Sequence, residues 1–202
     1  MAKFCFVDCE TGGLDPKVHG ITEIAAIAFE LDPKNPFMGQ MSQTEFRVLI
    51  EPNPNLAYTP AALGLQDRTL QYLKEYGVSE ADAWTSFETF LRTHLNSWRG
   101  HIVAHFAQFD YGFLAALAER CGRALALPAG KRCEWLCTKN LFRVLSGLEI
   151  VAPSSCGLDD IMRWYGIGYE GKEHNAMTDA RAGVKVFRHM MGSINKFYEG
   201  GK

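Results

Sequence analysis

The chain has 202 residues, 47% of them hydrophobic and 22% charged, a globular composition that suits one domain and excludes a disordered chain. Its formal net charge of −2 excludes a uniformly basic surface, although a local groove can still be positive. No apolar run approaches membrane-spanning length, and the opening MAKFCFVDCE lacks the charged, apolar and small-residue layout of a secretory signal. Six cysteines at irregular spacing in a core-rich chain predict reduced thiols, and with them a cytoplasmic protein with no membrane partner. Cys133 and Cys137 are set wider apart than the paired cysteines of zinc ribbons, so no zinc site is expected there.

In chain order, an apolar strand over Phe4–Val7 ends in two carboxylates, Asp8 and Glu10, followed by Gly12 and Gly13. Strand side chains alternate, so Asp8 and Glu10 share one face while Val7 and Cys9 share the other. Two adjacent anions at the edge of a core repel each other and lose hydration, so a cation is expected between them. Gly20–Leu31 and Thr44–Pro52 read as further strands, with DPKNPFMGQ as a hairpin connection that makes the three a meander. Ser79 and Asp82 have capping-box spacing ahead of a helix striped by Trp84, Phe87, Leu91 and Leu95. Gly100–Phe106 reads as a short strand running into a helix that carries Asp110, Phe113, Leu114 and Leu117. The segment Arg120–Arg143 is relatively basic and admits two readings, a phosphate-tracking groove or a solvated helix face. A small helix carries Leu158, Ile161 and Met162 inward, and a last helix from about Asn175 to Met191 is striped by Met177, Ala180, Val184, Phe187 and Met191. Strands first, then strands alternating with helices, predict an α/β domain with a mixed sheet flanked by helices, spanning residues 1–195 with a short tail at 196–202.

Two distant acids are placed to join the pair at the strand tip. Asp110 lies where a strand gives way to a helix, and Asp179 lies near the start of the last helix among Asn175, Ala176, Ala182 and Gly183, small enough for another element to approach closely. His174 reaches the same place if it belongs to the loop ahead of that helix. Asp159 and Asp160 occupy the first turn of a helix, where acids complement the exposed N–H groups, and are read as structural. His105, at a strand-to-helix junction, is read as a structural hydrogen-bonding residue, Glu23 as an exposed strand acid in preference to a position near the acid pair, and His19 as lacking supporting neighbours.

FVDCETGGL, VAHFAQFDYGFL and EHNAMTDARAG together resemble the three motifs of the DnaQ-like 3′–5′ exonucleases of the DEDDh type, in the ribonuclease H-like superfamily. The resemblance runs from Phe4 to about Met191. It implies a five-stranded mixed sheet with helices on both faces, metal-binding acids at Asp8, Glu10, Asp110 and Asp179, and a general base at His174. The implied cofactors are two Mg²⁺ or Mn²⁺ ions, which hard carboxylate ligands favour. The implied substrate is the 3′ end of single-stranded or frayed nucleic acid, DNA ahead of RNA, with a homodimer or a larger nucleic-acid-processing assembly left open. Thr11, Gly12 and Gly13 would contact the 3′ end through backbone N–H groups, or the glycines simply end the strand. Leu14, Leu65 and Phe113 would hold or wedge terminal bases, Phe113 with core as its other reading. Two positions depart from the family pattern: Phe106 stands where many members have Asn after the motif histidine, and Leu63–Leu65 replaces a His-Gly-Ile/Leu motif. Both changes predict a more apolar nucleotide site.

Overall fold

The computed structural model describes residues 2–32, 43–95, 100–125, 135–151, 155–171 and 174–200. Five strands form one sheet: β1 (Ala2–Thr11), β2 (Ile21–Leu31), β3 (Thr44–Leu49), β4 (Gly100–Ala104) and β5 (Trp135–Cys137), in the order β3-β2-β1-β4-β5. The first three make the expected antiparallel meander, whereas β4 joins β1 in parallel and β5 joins β4 in parallel. The sheet is therefore mixed, with β1 at its centre and both faces covered. The expected hairpin connection over DPKNPFMGQ falls outside the described residues.

The helices are α1 (Pro60–Leu65), α2 (Leu70–Tyr76), α3 (Glu80–His94), α4 (Ala107–Arg120), α5 (Thr138–Gly147), α6 (Leu158–Tyr165) and α7 (Ala176–Gly200). Local chemistry starts several of them. Thr59 caps α1 by accepting from the Ala62 N–H with Pro60 at the first helical position, Thr69 caps α2, and Ser79 accepts from the Asp82 N–H at 3.1 Å while donating to its carboxylate. These threonine caps were readable signals, yet α1 and α2 lie in a stretch that reads as loop by periodicity because each is under two turns long. β5 is not legible in the sequence for the same reason: three residues cannot display an alternation. The last helix is longer than expected and runs on through Gly200, absorbing most of the anticipated tail.

Strand parity divides the core. Cys5, Val7 and Cys9 face one layer, where Trp84, Phe87 and Leu91 of α3 and Phe113, Leu114 and Leu117 of α4 pack. Phe4 and Phe6 face the other, against Ala180, Val184 and Phe187 of α7. A third cluster joins α5 and α6 to the outer side of α7 through Phe142, Ile161 and Val186. The closest approach is at Gly183, where an added Cβ would lie 2.0 Å from the Phe6 ring, so only glycine lets α7 settle onto β1. Arg120 bonds Glu80 at 2.6 Å, tying α4 to α3 and removing that arginine from any phosphate groove. Among the described residues, no helix is long and apolar enough to cross a membrane.

Candidate active site

Asp8 and Glu10 sit on the α7 face of the β1 tip, as their parity requires, and α7 brings Asp179 to them from its first turn. One carboxylate oxygen from each of the three lies within 4.8 Å of the others. Asp110 arrives from the opposite layer. It sits in the first turn of α4, is 3% exposed, and its Oδ1 accepts from the Cys9 N–H at 3.0 Å. The backbone between the two strand acids thus anchors the fourth acid at the rim.

The electrostatics match this crowding. Burial, then the Asp110, Glu10, Asp179 and Glu23 carboxylates, push the Asp8 carboxyl well above its ordinary range. Burial followed by Asp179 and Glu23 raises Glu10 to about 7, with Arg68 opposing. Burial likewise lifts Asp110 to about 8, partly offset by its backbone hydrogen bonds. Arg68 offsets this build-up at Glu10 alone of the three, so the cluster as a whole stays short of positive charge. The carboxylate oxygens of Asp8, Glu10 and Asp179 gathered there are an all-oxygen set that fits a hard divalent cation and not a soft one.

His174 is exposed, in the loop immediately before α7, and has a left-handed backbone at φ 56°. It borders a cleft of about 580 Å³ that is also lined by Glu10, Thr11, Gly13, Leu14, Leu65 and Phe109. Leu14 and Leu65 are 84% and 60% exposed, so their apolar surface is presented to the cleft. Five expected site residues besides His174 and the other acids therefore meet here: Glu10, Thr11, Gly13, Leu14 and Leu65.

Other expectations need correction. Phe113 is 1% exposed and belongs to the core beneath the site, where it packs on Phe109 at 4.9 Å between ring centroids. Phe109, one turn earlier, is the aromatic that reaches the cleft. The Gly12 N–H is committed to the Gly20 carbonyl at 2.8 Å, and Gly12 O accepts from Thr59 N at 2.7 Å. Gly12 serves close packing instead: a Cβ there would meet the Tyr58 ring at 2.6 Å. Glu23 is not exposed but wholly buried, because β2 is covered on both faces and the alternation rule does not apply to it. Its two oxygens take the guanidinium groups of Arg47 and Arg68. His19, which lacked supporting neighbours in the sequence, lines the cleft and interacts through Nδ1 with the Asp15 backbone.

The structural readings of other residues agree with their surroundings. Asp160 pairs with Arg163 at 2.7 Å and Asp159 accepts from the Tyr169 hydroxyl at 2.5 Å, both on α6 and outside the acid cluster. His105 contacts Thr138 Oγ1 at 3.0 Å, and burial followed by the Lys139 charge lowers its pKa to about 4, so it stays neutral. Cys5, Cys9, Cys121, Cys137 and Cys156 are not in disulfides, while Cys133, with Lys131 and Arg132 of the basic segment, lies outside the described residues.

A central strand tipped by two acids, completed by one acid from a helix on each face of a mixed five-stranded sheet, is the ribonuclease H-like arrangement of a metal-dependent nuclease. The chain belongs to the exonuclease family, whose model matches residues 5–187, and is a DnaQ-like 3′–5′ exonuclease of the metal-dependent hydrolase class. It is 27% identical over 194 residues to ribonuclease T of Haemophilus influenzae (strain PittEE), covering 93% of this chain and 79% of that protein. It is 26% identical over 196 residues to the PolC-type DNA polymerase III of Thermotoga maritima, covering 96% of this chain but 12% of the polymerase. Among solved structures, E. coli exonuclease I in complex with a dT13 oligonucleotide superposes with a TM-score of 0.81 at 17% identity. That match covers 98% of this chain and 43% of exonuclease I, so this chain spans less than half of that protein. The same fold is seen in an exonuclease I complex with SSB-Ct, at a TM-score of 0.80 and 17% identity over 98% of this chain and 43% of that one.

Proposed function

We propose that the chain shortens single-stranded or frayed nucleic acid from its 3′ end, releasing nucleoside 5′-monophosphates, with Asp8, Glu10, Asp110 and Asp179 holding two Mg²⁺ or Mn²⁺ ions and His174 acting as general base. The observation that carries this reading is that the acid cluster and His174 border one cleft, through Glu10. The ions, when bound, would activate water and relieve charge on the leaving oxygen.

The chain's own groups supply the rest. An imidazole nitrogen of His174 accepts a proton from the attacking water, whose oxygen forms the new bond to phosphorus as the bond to the 3′ oxygen breaks. Leu14, Leu65 and Phe109 offer apolar surface for the terminal base and its neighbour. The polar side chains of that wall are already engaged: Gln66 donates to Thr11 O and accepts from Thr22, and Thr59 accepts from Ala62 N. The surface offered by Leu14, Leu65 and Phe109 is apolar and makes no hydrogen bond to a 2′-hydroxyl, which supports DNA ahead of RNA. Cysteines outside disulfides fit a reducing cytoplasm.

The test offers matched 5′-labelled DNA and RNA oligonucleotides with Mg²⁺ or Mn²⁺. A shrinking ladder, faster on DNA and abolished by chelator, is expected. His174→Ala should lower kcat on the order of 10²- to 10⁴-fold while Mn²⁺ binding persists. Intact oligonucleotide with measurable binding would point to a binding module, and undiminished turnover in His174→Ala would assign the base elsewhere.

A further inference from the structure

A buried ionic cluster lies directly behind the acids and is not among the groups that carry out the chemistry above. Glu23 faces Glu10 across the β1–β2 ladder and is inaccessible to solvent. Its Oε1 accepts from Arg47 Nε of β3 and its Oε2 from Arg68 Nη2, in the segment between α1 and α2. The Arg68 side chain is 6% exposed. The third party is Asn175, whose amide lies 3.1 Å from the Nη2 atoms of both arginines. Two cationic donors cannot face an amide NH₂, so the amide turns its oxygen to them. That orientation gives up a weak 3.3 Å contact with Thr178 N for two charge-assisted bonds.

We infer that Asn175 is a positioning residue: by accepting from Arg47 and Arg68 it fastens the start of α7, and with it the His174 loop, to the Glu23 cluster behind Glu10. This rests on the reading of His174 as base. Three features support it. Asn175 is the residue next to His174, whose left-handed backbone needs an external restraint to persist. Its carbonyl accepts from Asp179 N at 3.0 Å, so the same residue borders both the base and a metal-binding acid. Arg68 Nη1 is already buried without a hydrogen-bond partner among the described residues, so loss of the Asn175 oxygen would leave this cation further under-satisfied. The latch spans β2, β3, the α1–α2 connection and α7, four pieces distant in sequence that must be in register for the base to meet the acids.

Asn175→Ser and Asn175→Asp separate this role from helix capping. Serine can cap α7 through Thr178 N but is too short to reach the arginines; aspartate, with two oxygens, can cap and also accept from both. The full chain would be tested with labelled DNA and Mn²⁺, and its metal-free form by amide hydrogen exchange over residues 174–182. Asn175→Ser should lower kcat by about 10- to 100-fold with KM changed less than about threefold, and exchange should rise across 174–178. Asn175→Asp should restore both. Wild-type kcat and exchange in Asn175→Ser, or an Asn175→Asp as defective as the serine variant, would overturn the latch. Undiminished turnover in His174→Ala would sink the base assignment instead, and the exchange measurement would still decide whether the latch exists.

Discussion

Replacing Glu10 by Gln removes one negative charge from the acid cluster and keeps its shape, so it separates what the cluster costs in stability from what it does in catalysis. In the folded chain Glu10 is raised from an ordinary 4.5 to about 7, by burial first and then by Asp179 and Glu23. A folded pKa above the unfolded one contributes stability that is fully present below the unfolded value and is lost as pH rises through the folded value. The relevant window is therefore pH 4.5 to about 7, and above it the metal-free protein carries the full penalty. At ~1.36 kcal/mol per tenfold change in affinity for the proton, the shift corresponds to roughly 3 kcal/mol, reduced to about 1–3 kcal/mol because the carboxylate borders an open cleft. In a chain of this size that is a rise in Tm of about 3–10 °C for Glu10→Gln at pH 8 in chelator, shrinking toward zero near pH 4.5. Thermal unfolding of both proteins at the two pH values is the assay, and taking their difference cancels the histidines and surface ion pairs. Adding Mn²⁺ should stabilise the wild type more than the variant, reversing the order, while the variant loses nuclease activity. A Glu10→Gln protein less stable than wild type at pH 8 without metal would refute the reasoning.

Gly183→Ala places a methyl group against the Phe6 ring, which is fully buried and cannot yield, so α7 should lift from β1. The expected loss is about 1–3 kcal/mol by urea unfolding, net of the better helix propensity of alanine, with weaker Mn²⁺ binding by calorimetry because Asp179 is one turn away. Leu14→Ala and Leu65→Ala should leave Tm unchanged, since both side chains are largely exposed, and should raise KM for single-stranded DNA with kcat little altered; unchanged steady-state constants would remove these residues from the binding surface. Glu149 is exposed with φ 58° just past the end of α5, so Glu149→Gly should stabilise the chain by about 0.5–1 kcal/mol and leave turnover as it was, measured by urea unfolding and the ladder assay.

Side-chain parity placed Asp8 and Glu10 together, the apolar stripes placed α3 and α7, and the run of small residues around Asp179 anticipated the contact at Gly183. Those features are local or periodic, and a single sequence displays them. The burial of Glu23 is not legible in the sequence because its partners lie 24 and 45 residues away, and charge on a strand suggests solvent unless both covering layers are known. The N–H of Gly12 and the roles of Phe109 and Phe113 depended on tertiary placement: one turn of helix decides which ring meets the cleft. Phe106 shows a departure whose reason is conformational. It occupies a left-handed position at φ 60°, where asparagine is favoured over a bulky residue, and its ring is covered by the Lys139 ammonium at 4.6 Å. The substitution therefore changes the helix start and its cation contact, and Phe106 is not among the residues lining the cleft.

The four acids are drawn from both sides of the sheet: Asp110 hangs from the layer packed by α3 and α4, Asp179 from the layer packed by α7, with β1 between. Neither layer can slide by a fraction of a residue without disturbing the Cys9 N–H bond to Asp110 on one side or the gathering of Asp179 with Asp8 and Glu10 on the other. On the proposed assignment the acid cluster is thus a gauge of alignment for both layers, and interior substitutions mild enough to leave the melting curve untouched should still register as lost hydrolysis. Tolerance to repacking measured by turnover will be narrower than tolerance measured by folding, on both faces alike.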